Sequence, residues 1–295
     1  VREIPDVPEI LQVSDLHFGG VFLPDRAAGV QRVARERSPD VVVIAGDFTQ
    51  RARNRQFNAA RAFIDQFEAP IVVTPGNHDL PVYRLIERTL APYRKYRDSI
   101  EASLDQVHTF DGLTLVALNS TRPLRVTTGS LSDRQLDFAA DAFERAPADH
   151  LRIVVTHHHV AYPPAFRAPR AMIGGERVVS RLEQLGVCLL LAGHLHSTLI
   201  GESIQLMPRL VAGVARRNGL IISQSGTATS TRGRGPERGK NSFNYISIGP
   251  ERTVVTHYGW DESKQAFDSV ADHAFLSGAS TAGYRPEGAR EGEEG

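Results

Sequence analysis

The chain has 295 residues, with 34 Lys plus Arg against 34 Asp plus Glu, and 41% of its residues are apolar. That is enough for one large α/β domain or two small ones, and it excludes a chain too polar to bury a core. Zero net charge removes any long-range pull of the whole molecule toward nucleic acid or an anionic membrane, so attraction to phosphate must be local. The single cysteine, Cys188, excludes an internal disulfide and sits in the apolar run 186–192, where a buried core thiol fits. Residues 1–9 lack the apolar core of a secretory signal and no run is long enough to span a bilayer, so a cytoplasmic protein is expected.

Short apolar runs alternate with amphipathic stretches, the pattern of strands joined by helices. Residues 10–14 lead into a helix over 25–37, residues 41–45 into a helix over 53–67, and residues 71–74 end at Pro75-Gly76. Residues 82–104 read as a helical, Arg-rich rim or cap whose Arg84, Arg88, Arg94 and Arg97 form a solvated face. A hairpin over 106–110 and 113–118 turns at Asp111-Gly112. A helix capped by Ser132 follows to Arg145, burying Leu136, Phe138, Ala139, Ala142 and Phe143. Strands over 152–156 and 187–192 flank a helix over 176–185.

After His196 the pattern changes to strands without helices, at 198–207, 209–214, 220–224, 243–248 and 253–257, which predicts a second, largely antiparallel sheet. These strands also offer an edge for a homodimer. From Ala266 the composition turns to Ser, Gly, Ala and Glu, so a single domain over 1–265 and a disordered tail over 266–295 are expected.

Five short elements, each after an apolar run, carry metal-ligand residue types: Asp15 and His17; Asp47; Asn77, His78 and Asp79; His157; His194 and His196. A dinuclear hydrolytic site needs oxygen ligands, imidazoles and an anionic group able to bridge cations ~3.5–4 Å apart. Residues two apart, such as Asp15 with His17 and His194 with His196, point the same way if extended geometry continues through their loops. Singly, each element reads as a turn; the set does not.

In this order the elements resemble the calcineurin-like metallophosphoesterase family, through Asp15-Leu16-His17, Gly46-Asp47, Gly76-Asn77-His78-Asp79, His157 and Gly193-His194-Leu195-His196. The resemblance implies a four-layer αββα sandwich with two mixed sheets. It implies that Asp15, His17, Asp47 and His196 bind one metal, and that Asp47 bridges to a second held by Asn77, His157 and His194. His78 is then a catalytic histidine rather than a ligand, with Asp79 orienting its ring. The length and residues 129–136 look most like the bacterial class III cyclic-nucleotide phosphodiesterase and glycerophosphodiesterase group.

The implied cofactors are two divalent or transition metal ions, Mn, Fe, Zn or Co, and the implied reaction is attack on phosphorus by a bridging hydroxide. A small phosphate ester, such as a cyclic nucleotide or a glycerophosphodiester, is the expected substrate. Phosphomonoester or pyrophosphate cleavage would use the same centre, nucleic acid is disfavoured by the zero net charge, and a non-catalytic scaffold should have lost ligands. In His157-His158-His159, where the family more often has Pro at the last position, His157 is taken as ligand and His158 as a substrate contact. The Gly-rich, basic segment 231–240 lacks the strand-to-helix setting of a phosphate loop and reads as a surface connection, with Arg232 and Arg234 as candidate substrate contacts. His108, His150, His257 and His273 are read as structural or solvent-facing.

Overall fold

In the computed structural model, which describes residues 7–162, 172–207 and 219–276, strand alternation sets the layers. Parallel strands β1 (Glu9–Val13), β2 (Val41–Ile44) and β3 (Ile71–Val73) are joined by helices α1 (Pro24–Arg37) and α2 (Asn54–Ile64). Leu11, Val13, Val42 and Ile44 pack on Val30, Val33, Phe57 and Phe63 of those helices. Their neighbours Ile10, Val41 and Val43 point the other way, into a core shared with Leu113, Leu115, Ile153 and Leu191. Burial on both faces is why these strands read as unbroken apolar runs.

Helices α3 (Leu85–Leu90) and α4 (Arg94–Ser99) precede the hairpin β4 (Gln106–Phe110) and β5 (Leu113–Ala117). Helix α5 (Asp133–Arg145), β6 (Leu151–Val155), α6 (Gly175–Gln184) and β7 (Leu189–Ala192) follow. Ser132 caps α5 in a reciprocal box with Gln135, and Leu136, Ala139 and Phe143 meet Val178 and Leu182 of α6 over the outer face of this sheet. The chain ends in β8 (Leu199–Glu202), α7 (Ser203–Leu206), β9 (Ile221–Gln224), β10 (Ser242–Ile248), β11 (Arg252–Asp261) and β12 (Ala266–Leu276). The sheets run β12-β11-β10-β1-β2-β3 and β4-β5-β6-β7-β9-β8, both mixed, and they stack face to face with helices outside.

The late strands do not make a sheet of their own. β9 pairs parallel to β7 and β8 antiparallel to β9, whereas β10 pairs antiparallel to β1, so the strands divide between the two early sheets. The cause is the open edge that β1 and β7 each present, whose backbone groups need partners. The run expected as one strand over 198–207 ends in α7, and residues 209–214 lie outside the described residues. The tail expected from Ala266 begins instead as β12, paired with β11 from Asp261 opposite Ala266 to Arg252 opposite Leu276. Its composition misleads because backbone pairing needs few apolar side chains; Phe267, packed on Phe243 and Trp260, anchors the strand. Residues 277–295 lie outside the described residues.

Pro92 divides the expected helical segment into α3 and α4. Arg88 is not on a solvated face: it is buried, donating to the carbonyls of Pro123 (2.5 Å) and Arg125 (3.0 Å). Phe138, expected in the core, is 37% exposed. No helix among the described residues is long and apolar enough to cross a membrane.

Gln12, fully buried between the sheets, donates to the carbonyls of Ala192 (3.0 Å) and Ser223 (2.8 Å) and accepts from Ser223 Oγ (2.7 Å). Gln12→Ala leaves those groups unpaired and should cost about 2–4 kcal/mol, read as a lower urea midpoint with unchanged slope. Burial pushes the Cys188 thiol up to about 12. The native thiol should therefore resist an aromatic disulfide reagent at pH 8 and react once the chain is unfolded; rapid stoichiometric labelling of native protein would contradict its core placement.

Candidate metal centre

The loops after β1, β2, β3, β6 and β7 meet at one end of the two sheets. Asp15, His17, Asp47, His194 and His196 all have left-handed backbone, with φ of 56°, 51°, 54°, 74° and 56°. The condition under which alternation would align Asp15 with His17 and His194 with His196, extended geometry continuing through their loops, is therefore not met. β1 ends at Val13 and β7 at Ala192, and each pair converges through left-handed turns. Non-glycine residues in this region store about 1–2 kcal/mol each, which packing around them must hold. The loops also pack without room for side chains at two glycines. A Cβ on Gly76 would lie 2.1 Å from Asp47 Oδ1, and one on Gly193 1.8 Å from Ser14 Oγ.

Two groups of donor atoms result. Asp15, His17, Asp47 and His196 place one ligand atom each within 4.8 Å of one another, all buried. His196 Nε2 lies 3.0 Å from Asp15 Oδ1 and 3.0 Å from His17 Nε2, which is 3.5 Å from Asp47 Oδ2. In the second group, Asn77 Oδ1 is 3.2 Å from His157 Nε2 and 2.9 Å from His194 Nδ1, and the two ring nitrogens are 3.2 Å apart. Asp47 Oδ1 reaches this group, 3.5 Å from His157 Nε2.

The residues fit cations. Asp15 Oδ2 accepts from Ser14 Oγ (2.6 Å) and the His194 N–H (2.8 Å), but Oδ1 and Asp47 Oδ2 are buried without a hydrogen-bond partner among the described residues. Such orphaned carboxylate oxygens are expensive unless something positive meets them. His157 Nδ1 donates to the Ala45 carbonyl (2.7 Å) and His196 Nδ1 to that of Arg232 (2.9 Å), which leaves each Nε2 lone pair facing its group.

Electrostatics point the same way. Burial raises the Asp15 and Asp47 carboxyls, yet His196, His17 and His157 around the first and His157, His78 and His17 around the second outweigh it, so both stay below their ordinary values. Burial drives His17 down to about 3 against the pull of Asp15 and Asp47, keeping a neutral ring with a free lone pair. Burial opposes charge on His157 too, but Asp47 and Asp15 raise it.

His78 stands beside the first group, its ring edge-on to His17 at 4.9 Å. Asp79 does not orient it. The Asp79 carboxylate is taken up by the N–H groups of Gly76 (2.9 Å), Phe48 (3.2 Å) and Thr49 (2.9 Å), so it ties the Asp47 loop to the Asn77 loop. Burial and the charge of Asp47 push it up to about 7, against those N–H groups. The His78 ring is set instead by Nδ1 donating to the Gln50 carbonyl (2.9 Å), a backbone contact that no residue type signals in the sequence.

A solvent-connected cavity of about 620 Å³ lies over the centre, lined by Thr127, His159, Arg232 and Arg234 besides Asp47, Asn77, His78 and the 194–196 loop. His158 does not line it; its Nδ1 bonds Ser120 Oγ (2.9 Å) behind the site. His159 does, 2% exposed and with neither ring nitrogen hydrogen-bonded among the described residues. β6 ends at Val155 and residues 157–159 follow in a bend, so strand alternation does not decide which ring meets the cavity, and no residue type in the sequence singled out His159. Segment 231–240 is also more than a surface connection. Arg234 N donates to the His196 carbonyl (3.0 Å), and Glu237 fastens the segment to Thr198 N (2.8 Å) and Ser242 Oγ (2.6 Å). Arg232 Nη1 donates to His78 Nε2 (3.1 Å). Burial lowers the Arg232 guanidinium from its ordinary value and Asp47 and Asp15 oppose this, while Arg234 and Arg51 repel it. His108, His150 and His257 bond Gln106, Thr114 and Asn244, away from the centre.

Comparison with known proteins agrees with this architecture. The chain is 28% identical over 206 residues to a probable cyclic nucleotide phosphodiesterase of Synechococcus sp., covering 65% of this chain and 74% of that protein. It is 24% identical over 263 residues to a cAMP/cGMP dual specificity phosphodiesterase of Mycobacterium tuberculosis, covering 83% and 77%. In fold it resembles a dimetal phosphatase from Danio rerio, with TM-score 0.63 at 13% identity over 91% of this chain and 98% of that one. A purple acid phosphatase from yellow lupin gives 0.66 at 12% identity over 91% and 53%. The family model described as calcineurin-like phosphoesterase matches residues 8–198, from β1 through the 194–196 loop, and the chain belongs to that family.

Proposed function

We propose that this chain is a metal-dependent phosphodiesterase working at a two-ion centre. The observation that carries the reading is Asp47, whose Oδ2 faces His17 while its Oδ1 faces His157, so one carboxylate serves both groups of donor atoms. Asp15, His17, Asp47 and His196 would hold one ion; Asp47, Asn77, His157 and His194 the other. When bound, two cations neutralise phosphate oxygens and acidify a water enough to supply hydroxide near neutral pH for in-line attack. The mixed N and O donors suit Mn, Fe, Zn or Co.

The protein's own part is positional. The Ala45 and Arg232 carbonyls fix the tautomers of His157 and His196. The Gln50 carbonyl holds His78 Nδ1–H and Nε2 accepts from Arg232 Nη1 beside the cavity, so proton delivery by His78 to the departing oxygen requires that substrate draw Arg232 aside and that Nε2 be protonated. The two relatives named for cyclic nucleotides support a small diester substrate.

Protein stripped by chelator should lose hydrolysis of bis(p-nitrophenyl) phosphate and regain it with Mn²⁺; full activity in metal-free protein would refute the reading. Asp47→Ala should lower bound metal below two ions per chain by elemental analysis, and retention of both would remove its bridging role. For His78→Ala, metal content should persist while kcat falls about 10²–10⁴-fold, most for poor leaving groups. An equal loss across a series of aryl leaving groups would exclude proton delivery by His78.

A further inference from the structure

The Arg-rich segment that holds α3 and the loop after β5 supply no donor atom to the metal centre, yet exposed apolar side chains are concentrated there. Tyr83, Leu85, Ile86, Leu90, Leu124 and Val126 are six of the twelve large apolar residues that stand exposed among the described residues. Scattered exposure needs no explanation, whereas a cluster marks a surface that something covers. Leu85, Ile86 and Leu90 are 73%, 78% and 79% exposed and Leu124 is 89% exposed, so most of each side chain stands out in water.

The two segments are locked side by side. Buried Arg88 of α3 donates to the carbonyls of Pro123 (2.5 Å) and Arg125 (3.0 Å), the residues on either side of Leu124. Arg84 Nη2 donates to the Ala52 carbonyl (2.7 Å), and the Arg51 guanidinium lies 4.9 Å from the centre of the Tyr83 ring, which joins the loop before α2 to the same face. Thr127, the next residue after Val126, lines the cavity over the metal centre, so the apolar cluster adjoins its rim.

Charge says what fits this face. Glu87 is the one carboxylate in residues 83–97 and 122–126, and Arg84 (2.5 Å) and Lys95 (2.9 Å) already pair with it. Exposed Arg51, Arg53, Arg94 and Arg125 enter no ion pair among the described residues, so the face is locally positive on a chain of zero net charge. A second copy docked by twofold symmetry would set these arginines against their own counterparts. A nucleic acid would use the arginines, but it is held by aromatic stacking platforms, not by protruding aliphatic side chains. An anionic lipid surface meets both halves of the pattern. Its phosphates take the guanidinium groups, and Leu and Ile side chains enter the boundary between headgroups and acyl chains without the shaped pockets that a protein partner would have to supply.

We propose that residues 83–94 and 122–126, with Arg51, form a docking surface for an anionic bilayer, which sets the mouth of the metal-centre cavity against lipid headgroups. Docking is independent of the two-ion reading, because binding to vesicles needs no turnover.

The test is co-sedimentation of the full chain with vesicles of phosphatidylcholine alone and of phosphatidylcholine containing about one-third phosphatidylglycerol, at ~0.1 M and ~0.5 M salt. The wild-type protein should bind the anionic vesicles about tenfold more strongly than the neutral ones at the lower salt, and lose most of that preference at the higher. Leu85→Ser/Ile86→Ser/Leu124→Ser and, separately, Arg94→Glu/Arg125→Glu should each weaken anionic binding about tenfold while hydrolysis of bis(p-nitrophenyl) phosphate by the metal-loaded protein stays at the wild-type rate. No binding of wild-type protein to anionic vesicles overturns the proposal, as does equal binding to both kinds. Binding that survives both sets of substitutions also overturns it, by assigning the contact to headgroups entering the cavity. Sedimentation velocity separates the remaining occupant: a wild-type dimer that the apolar substitutions dissolve, without vesicle binding, would give the face to a second copy. Failure of the two-ion reading shows elsewhere, as absence of metal-dependent hydrolysis by the wild-type protein.

Discussion

Two carboxylates, Asp15 and Asp47, sit at zero exposure with one oxygen each that no hydrogen bond from the described residues reaches, and the rest of the centre is arranged around that fact. An isolated buried carboxylate would take up a proton; here, against burial, His196 beside Asp15 and His157 beside Asp47 hold both carboxyls below their ordinary values. The neighbouring rings have their distal nitrogens tied to carbonyls, so their lone pairs converge on the same space. Left-handed backbone at Asp15, His17, Asp47, His194 and His196 is the local strain that brings the donors together, and the close-packed cores beneath the loops sustain it.

The late third of the chain contributes more than a scaffold. β9 extends one sheet and β10 the other, so residues 225–241 cross from sheet to sheet over the open end, directly above the donor atoms. That crossing delivers Arg232 to His78 and supplies the carbonyl that fixes His196. The family model ends at residue 198, before this segment, so the residues that shape the cavity wall lie partly beyond the stretch that defines the family.

Histidines in the centre are separated by what their second nitrogen meets. His157 and His196 meet carbonyls through Nδ1 and turn Nε2 to the two groups of donor atoms; His78 meets the Gln50 carbonyl but turns Nε2 to the cavity. His158 meets Ser120 and is withdrawn, while His159, its ring nitrogens without a hydrogen bond among the described residues, lines the cavity. Residue type is the same in each case, and the partner decides the role.

The sequence by itself determined the apolar runs of β1, β2, β6 and β7, the cap of α5 at Ser132, the placement of chemistry-bearing residues after strands, and hence the fold class and the candidate donors, because periodicity and turn chemistry are local. Only the tertiary structure decided which sheet each late strand joins, that Ala266–Leu276 is a strand, that Asp79 ties two loops together rather than orienting His78, that Arg88 is buried, and that His159 rather than His158 lines the cavity. Each of these depends on a partner far away in the chain: an open strand edge, a carbonyl at Pro123 or Gln50, a backbone N–H at Gly76 or Thr49. Hydrogen-bonding need is written into every residue, but the group that satisfies it is chosen by packing.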